Sequence, residues 1–161
     1  MDKTMNQEIT PNRKAFLDMI AHSEIGDALL AVSDNGYNVL VGSTASHPML
    51  FDSYDAHPGI LNHTLNSTAA GRYQIIHPTY AALCAKFDLY GFDPDTQDQM
   101  ALDLIAGRQA LALVDAGHFE LAVRHCSAEW ASLPGSTAGQ HVNQMSDLRQ
   151  VYLDKGGELD A

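Results

Sequence analysis

The sequence predicts an α+β fold that is mainly helical, with one small antiparallel β element in its first half. Most of the chain carries apolar residues at helical spacing, in segments that begin near proline or a capping residue and end near glycine. One short stretch instead places Tyr37, Val39 and Val41 at alternate positions after a turn sequence. With 161 residues and no internal repeat or linker, we expect a single domain, residues 1–161, in which about residues 34–58 form a small β subdomain.

The first helix is expected from Thr10 to Glu24. Thr10 is a typical N-cap residue, and Pro11 suits the first helical position. The apolar faces are supplied by Phe16, Leu17, Met19 and Ile20. These residues should press the helix against the core of the domain.

Glu24 continues the apolar stripe of this helix. Successive helix positions advance by ~100°, so Leu17, Ile20 and Glu24 fall within about 60° of one another. A carboxyl on the buried face of a helix C-terminus is disfavoured in its charged form by desolvation and by the helix dipole, so its pKa should be raised. Such a group can hold a proton near neutrality, as a general acid must. The alternative is an exposed side chain at the helix end.

The β element is expected between Asn35 and Tyr54. Asp34-Asn35-Gly36 is a turn sequence, and the strand after it should end near Gly42. An extended segment from Met49 to Tyr54 could complete a hairpin, and a loop follows at residues 57–59.

The rest of the chain reads as helices separated by short loops. Asp93 is a candidate N-cap, and Gly107 and Gly117 are candidate helix stops. A Gly-, Ser- and Thr-rich loop is expected from Leu133 to Gln140. The predicted helices are Pro78 to Phe87, Pro94 to Ala106, Arg108 to Ala116, Phe119 to Ala131 and Val142 to Lys155.

Composition excludes several classes of function. The formal net charge is −11, from nine basic and twenty acidic residues, which argues against nucleic-acid binding because phosphate neutralisation needs clustered Lys and Arg. No apolar run approaches the ~18 residues that span a bilayer, and residues 1–11 do not resemble a secretory signal, so we expect a protein kept in a cytoplasm without stable membrane association. Cys84 and Cys126 are expected to be reduced, buried thiols.

Three sequence blocks resemble the lambda endolysin family, which consists of phage lytic transglycosylases with a lysozyme-like fold. They are RKAFLDMIAHSE (Arg13 to Glu24), STAAGRYQ (Ser67 to Gln74) and WASLPG (Trp130 to Gly135). The resemblance runs from about Asn12 to Gly157. It implies a lysozyme-like domain in which the small hairpin subdomain lies beside the catalytic cleft.

The resemblance implies that Glu24 is the catalytic residue. The substrate would be the glycan strand of bacterial peptidoglycan, cleaved at the β-1,4 bond between N-acetylmuramic acid and N-acetylglucosamine. The muramic acid end would become a 1,6-anhydro sugar, because its own 6-hydroxyl attacks the anomeric carbon. No metal, cofactor or second carboxylate is then required.

The resemblance also suggests residues that contact the glycan. Arg72 could pair with substrate carboxylates, although a structural role is favoured, and for Trp130 a core position is favoured over a sugar platform. The candidate binding residues are Tyr54, Ser67, Thr68, Arg72, Tyr73, Gln74, Trp130 and Gln140. The chain departs from the family pattern at Asn35, where the family has histidine, and at Ala138, where it has an aromatic residue.

Three other functions remain open from the sequence. A hydrolytic muramidase would need a second carboxylate, for which the candidates are Asp27, Asp34, Asp52 and Asp55. A zinc amidase would need a cluster of ligands, yet the eight histidines include no HExxH motif. A non-catalytic wall-binding or phage structural module would not need Glu24.

The resemblance further implies where such a protein acts and with what. It would accumulate in the cytoplasm of the host bacterium and reach the wall from the periplasm after a holin-type protein permeabilises the inner membrane. We expect a monomer.

Overall fold

The computed structural model describes residues 6–135 and 142–160, and the chain divides into two compact units. One unit contains Asn6 and Ile25–Met100, and the other contains Gln7–Glu24 and the chain from Ala101 onward. The described residues form seven helices: α1 (Pro11–Glu24), α2 (Asp27–Ala31), α3 (His77–Phe87), α4 (Pro94–Gly107), α5 (Leu111–Asp115), α6 (Phe119–Cys126) and α7 (Met145–Asp154). The single domain with a subdomain at about residues 34–58 stays a prediction.

In the unit that carries Glu24, α1 packs against α5 and α7, and α6 packs against both of these helices. Phe119 lies between two other aromatic rings: its ring centroid is 5.9 Å from that of Phe16 and 4.7 Å from that of Tyr152. The apolar residues predicted for α1 are buried, as expected for a stripe that recurs every three to four positions. Burial of this stripe fixes the helix in the core.

The start of α1 agrees with the capping prediction. The Thr10 hydroxyl accepts a hydrogen bond from the Arg13 backbone N–H at 3.3 Å, and Pro11 occupies the first helical position. The Arg13 guanidinium then makes two bonds of 2.8 Å to the carboxylate of Asp115. This bidentate pair ties the first turn of α1 to the end of α5.

In the other unit, the predicted hairpin is present as a pair of short antiparallel contacts. Val39 pairs with Leu50, flanked by backbone bonds of 2.9 Å from Leu40 N–H to the Met49 carbonyl and from Phe51 N–H to the Asn38 carbonyl. The sequence did not predict the third segment: Leu40 also pairs with Ala70, which in turn pairs with Ile75. Pairing across about 30 positions leaves no local signal in the sequence.

An aromatic cluster forms the core of this second unit. Phe92 is fully buried, with its ring centroid 5.0 Å from that of His57, 5.4 Å from Tyr80 and 6.2 Å from Phe51. The Phe92 backbone N–H also donates to the Tyr54 carbonyl at 2.9 Å. The chain just before α4 is thereby fixed against the segment that follows the hairpin.

Several helix boundaries differ from the prediction. The short helix α2 was not predicted, and α5 begins at Leu111 because Gln109 adopts a left-handed conformation (φ 58°) that interrupts a longer helix. The helix predicted to reach Ala131 ends at Cys126, where the Ser127 hydroxyl donates to the Arg124 carbonyl at 2.7 Å and competes with helical bonding. Trp130 therefore lies just after a turn and not on a helix.

Two further findings concern the chain as a whole. No helix among residues 6–135 and 142–160 combines the length and the apolar character needed to cross a membrane. Cys84 and Cys126 are both free and buried, as predicted.

Candidate active site

Glu24 is the last residue of α1 and is only partly exposed. The residues that precede it on the same stripe, Leu17 and Ile20, are buried, so the side chain emerges at the edge of the core. Burial raises the pKa of Glu24 to about 7, and a hydrogen bond from Ser132 opposes that rise. At neutral pH the carboxyl is therefore divided between its protonated and ionised forms. This is the state in which a single group can both give and take a proton.

Three polar residues behind Glu24 form a chain of hydrogen bonds. The hydroxyl oxygens of Ser23 and Ser132 are 2.7 Å apart, and the side-chain amide of Asn143 donates to the Ser23 hydroxyl at 2.9 Å. The Asn143 backbone N–H also donates to the Ser132 carbonyl at 2.9 Å. The sequence analysis missed these three residues as site residues, although Ser23 and Ser132 lie inside the blocks RKAFLDMIAHSE and WASLPG.

No carboxylate among the described residues contributes to the pKa of Glu24, whose two causes are burial and Ser132. Asp27, proposed from the sequence as a possible second carboxylate, is the exposed first residue of α2. Asp34, Asp52 and Asp55 are exposed residues of the other unit. The pKa of Glu24 is therefore set by desolvation of its carboxyl and by the hydrogen bond from the Ser132 hydroxyl.

In the other unit, the segment from Ser67 to Gln74 is a tight turn held by its own polar side chains. The Thr68 hydroxyl accepts from the His77 backbone N–H at 2.9 Å, and the Ser67 hydroxyl accepts from Ala69 N–H at 3.1 Å. The Gln74 side-chain amide donates to the Gly71 carbonyl at 2.8 Å. Ser67, Thr68 and Gln74 are partly exposed, so contact with a ligand remains a proposal for them.

Arg72 and Tyr73 are buried and turn inward from this segment. Tyr73 is 1% exposed, and its hydroxyl donates to the Asp98 carboxylate at 2.5 Å. The Arg72 guanidinium lies over the rings of Tyr37 and Tyr73, at 5.4 and 5.5 Å from their centroids. A side chain without accessible surface cannot stack on a sugar. Both side chains support the turn, as the sequence favoured for Arg72, whereas the prediction that Tyr73 contacts the sugar finds almost no exposed surface on that residue.

Gln97 and Asp98 complete this buried network, and the sequence analysis missed both. The Gln97 side chain accepts from the Arg72 backbone N–H at 3.0 Å and donates to the Phe92 carbonyl at 2.8 Å. Burial raises the pKa of Asp98, and the hydroxyls of Tyr73 and Tyr37 that donate to it oppose the rise. The one available signal was a polar pair at positions 97 and 98 of the helix predicted from Pro94.

The three remaining candidates have different positions. Trp130 is 2% exposed, so it belongs to the core and is not a sugar platform. Tyr54 is partly exposed and donates to the carboxylate of Asp34 at 2.5 Å, which leaves the edge of its ring as a candidate surface. Gln140, like Ala138, lies outside the described residues.

The described parts of the chain contain no group of three or more His, Cys, Asp or Glu side chains placed to hold a metal ion. The histidines are dispersed over both units, in α1, α3 and α6 and in several loops. These residues give no support to a zinc site.

Comparison with known proteins relates the chain to one family. A family model described as Endolysin matches residues 14–159. The chain is 40% identical to the endolysin of Escherichia phage lambda over 156 residues, covering 94% of this chain and 96% of that protein. It is 37% identical to the endolysin of Escherichia phage P2 over 155 residues, covering 91% and 93%.

The fold is similar to solved structures of bacteriophage lambda lysozyme. The lambda lysozyme complexed with a chitohexasaccharide gives a TM-score of 0.87 at 38% identity, covering 96% of this chain and 99% of that chain. A second structure of the lambda enzyme gives a TM-score of 0.79 at 37% identity, with the same coverage. The predicted lysozyme-like, mainly helical fold with little strand is confirmed.

Proposed function

Because the chain belongs to the endolysin family, we propose that it is a peptidoglycan lytic transglycosylase in which Glu24 moves the proton. The bond cleaved is the β-1,4 linkage between N-acetylmuramic acid and N-acetylglucosamine, and the product ends in 1,6-anhydromuramic acid. The observation that carries this proposal is the partly buried Glu24 with a pKa of about 7 and no contribution from another carboxylate among the described residues.

Glu24 acts twice in the proposed reaction. The protonated carboxyl donates its hydrogen to the glycosidic oxygen as the bond from that oxygen to the anomeric carbon breaks. The ionised carboxylate then takes the hydrogen of the muramic acid 6-hydroxyl, whose oxygen bonds to the same anomeric carbon. Glu24 is protonated again at the end, so no water is consumed. A pKa near 7 suits both steps because neither protonation state is strongly favoured.

We infer sugar binding by this chain from what its relatives bind. The lambda lysozyme, at 38% identity, was solved with a chitohexasaccharide bound, which supports a glycan strand as ligand here. In this chain the partly exposed candidates for glycan contact are Tyr54, Ser67, Thr68 and Gln74. We further propose that the protein reaches the wall only after a holin-type protein has permeabilised the inner membrane.

The competing function is a hydrolytic muramidase, which would activate water with a second carboxylate. The absence of any carboxylate from the causes of the Glu24 pKa favours the transglycosylase. The two enzymes differ in their products, because the hydrolase adds one water at each cut and leaves a reducing muramic acid end.

Mass spectrometry of digested peptidoglycan tests this proposal. We expect muropeptides that end in anhydromuramic acid, each lighter by one water than the reducing product. Glu24→Gln keeps the shape of the side chain but removes the exchangeable proton, and we expect it to lower the rate by at least about a thousandfold. Reducing ends from the parent protein would identify a hydrolase, and full activity of Glu24→Gln would contradict the role of Glu24.

A further inference from the structure

We propose that Asn143, Ser23 and Ser132 form a hydrogen-bond relay that positions the carboxyl of Glu24 and favours protonation on one of its two oxygens. The inference deepens the proposed function and rests on it. It concerns two serines inside the sequence motifs and one asparagine outside them, none of which the motifs explain.

The direction of the relay follows from the number of hydrogens on each group. The amide nitrogen of Asn143 can only donate, so the Ser23 hydroxyl oxygen is the acceptor of the 2.9 Å bond between them. Ser132 uses its single hydroxyl hydrogen for Glu24, an interaction that favours the ionised carboxylate. While Ser132 donates to the ionised carboxylate, the 2.7 Å contact between the two hydroxyls runs from Ser23 to Ser132. Each hydroxyl accepts one bond and donates the next.

This direction distinguishes the two oxygens of Glu24. In the ionised state the oxygen that accepts from Ser132 is the weaker proton acceptor of the two, because it already holds a hydrogen bond. Protonation of Glu24 is therefore favoured on the other oxygen. Hydrogen bonds in series polarise one another, so removing an early member weakens the later ones.

Asn143 also fixes the three chain segments that carry the relay. Its side-chain amide lies 3.3 Å from the Ser23 carbonyl, and its backbone N–H donates to the Ser132 carbonyl at 2.9 Å. One residue just before α7 thus holds the last turn of α1 and the turn that contains Ser132. We assign Asn143 as a positioning residue, since it acts on Glu24 only through the two serines.

The charged groups on the packed helices do not explain the behaviour of Glu24. Asp115 of α5 is paired with Arg13 at 2.8 Å, and Arg149 of α7 is paired with Glu120 at 2.6 Å. None of the other ionisable residues of α1, α5 and α7 is among the causes of its pKa; they are Arg13, Lys14, Asp18, His22, Asp115, Asp147, Arg149, Tyr152 and Asp154. The relay and burial are therefore the two remaining determinants of the Glu24 pKa.

The test is a titration of the Glu24 carboxyl by ¹³C NMR, combined with the pH profile of kcat. In Ser132→Ala the pKa of Glu24 should rise by about one pH unit, since a hydrogen bond to the charged form is lost. The alkaline limb of the kcat profile should move upward with it, and kcat below that limb should fall roughly tenfold because protonation is no longer favoured on one of the two oxygens. Ser23→Ala should shift the Glu24 pKa and the alkaline limb in the same direction by a smaller amount. Ser132→Thr keeps the hydroxyl and should restore the pKa and the kcat profile of the parent protein.

Ser127→Ala is the matched control. Its hydroxyl is also partly exposed in the same unit but donates to the Arg124 carbonyl, so neither the titration nor the profile should change. A Ser132→Ala protein that folds and titrates like the parent would overturn the relay, while an inactive Glu24→Gln would leave the proposed function standing. If Ser132→Ala does not fold, an unchanged Glu24 pKa in Ser23→Ala overturns it instead. Full activity of Glu24→Gln would remove the proposed function, and the NMR titration would still decide the relay.

Discussion

At the scale of single residues, His57 is the one buried histidine among those that the structure describes. Its Nδ1 accepts from the Gly59 backbone N–H at 3.0 Å, so the hydrogen of the neutral ring lies on Nε2, which donates to the Ile75 carbonyl at 2.7 Å. Burial lowers the pKa of His57, and the nearby His77 lowers it further. Protonation of Nδ1 would cost the ring its bond to Gly59.

This geometry predicts an acid-sensitive contribution to stability. Because the pKa of folded His57 lies below the unfolded value of about 6.5, the unfolded chain binds the extra proton first. The stability from neutral His57 is complete above that pH and is lost as the pH falls below it. Replacing His57 with Gln should lower the free energy of unfolding at pH 7 by about 1–3 kcal/mol but flatten its decline between about pH 6.5 and 5.

Urea unfolding across that pH range measures the effect. His63→Gln is the control, because His63 is exposed and should leave both the stability and its pH dependence unchanged. A His57→Gln protein that loses stability on acidification as steeply as the parent would contradict the assignment.

At the scale of elements, the turn that contains AGRYQ shows how local backbone and distant packing combine. Gly71 has a φ of +82°, and a Cβ at that position would lie 2.3 Å from the side-chain oxygen of Gln97 and 2.9 Å from its carbonyl carbon. Gln97 has no room to retreat, because it is fully buried and bonded to Arg72 and Phe92. Glycine is therefore required by the conformation and by the neighbour.

We predict that Gly71→Ala destabilises the protein by about 2–4 kcal/mol, from the left-handed backbone and from overpacking together. The matched control is Gly91→Ala, since Gly91 lies in the same unit with no heavy atom within 4 Å of a built Cβ and no left-handed backbone. Chemical denaturation of both variants measures the difference. If Gly71→Ala loses no more stability than Gly91→Ala, the turn and Gln97 do not constrain each other.

At the scale of the whole molecule, the net charge of −11 is the property most relevant to an insoluble substrate. Wall peptides carry carboxylates, so the wall repels an acidic enzyme electrostatically as the enzyme approaches the glycan. Salt at about 0.1 M reduces the range of that repulsion to roughly 10 Å. The acidic balance therefore affects association with the wall more than the chemical step at Glu24.

We expect faster digestion of whole walls at moderate salt, or at mildly acidic pH where histidine protonation reduces the net negative charge, than at pH 8 in low salt. A neutral chito-oligosaccharide is the control substrate, because it lacks the carboxylates and should show little salt dependence. Turbidity loss of purified walls and oligosaccharide cleavage provide the two measurements. The salt series is the cleaner comparison, since pH also titrates Glu24. Equal salt profiles for both substrates would contradict the role of charge.

The sequence by itself determined α1, the place of Glu24 on its apolar stripe, and the family. These signals are local: helical periodicity, a capping residue and contiguous motifs of six to twelve residues carry them. The same local evidence did not show that Tyr73 is buried, because a motif shows which residues are present but not which way a side chain turns.

Only the tertiary structure decided what surrounds the carboxyl of Glu24. Ser23 and Ser132 are 109 positions apart, and Ser23 and Asn143 are 120 apart, yet each pair is joined by a hydrogen bond of under 3 Å. No periodicity or spacing in the sequence records such a contact, because it forms only after α1, α5 and α7 have buried their apolar faces against one another. The position of Glu24 is thus visible in the sequence, whereas the hydrogen bonds among Ser23, Ser132 and Asn143 beside it exist only in the folded chain.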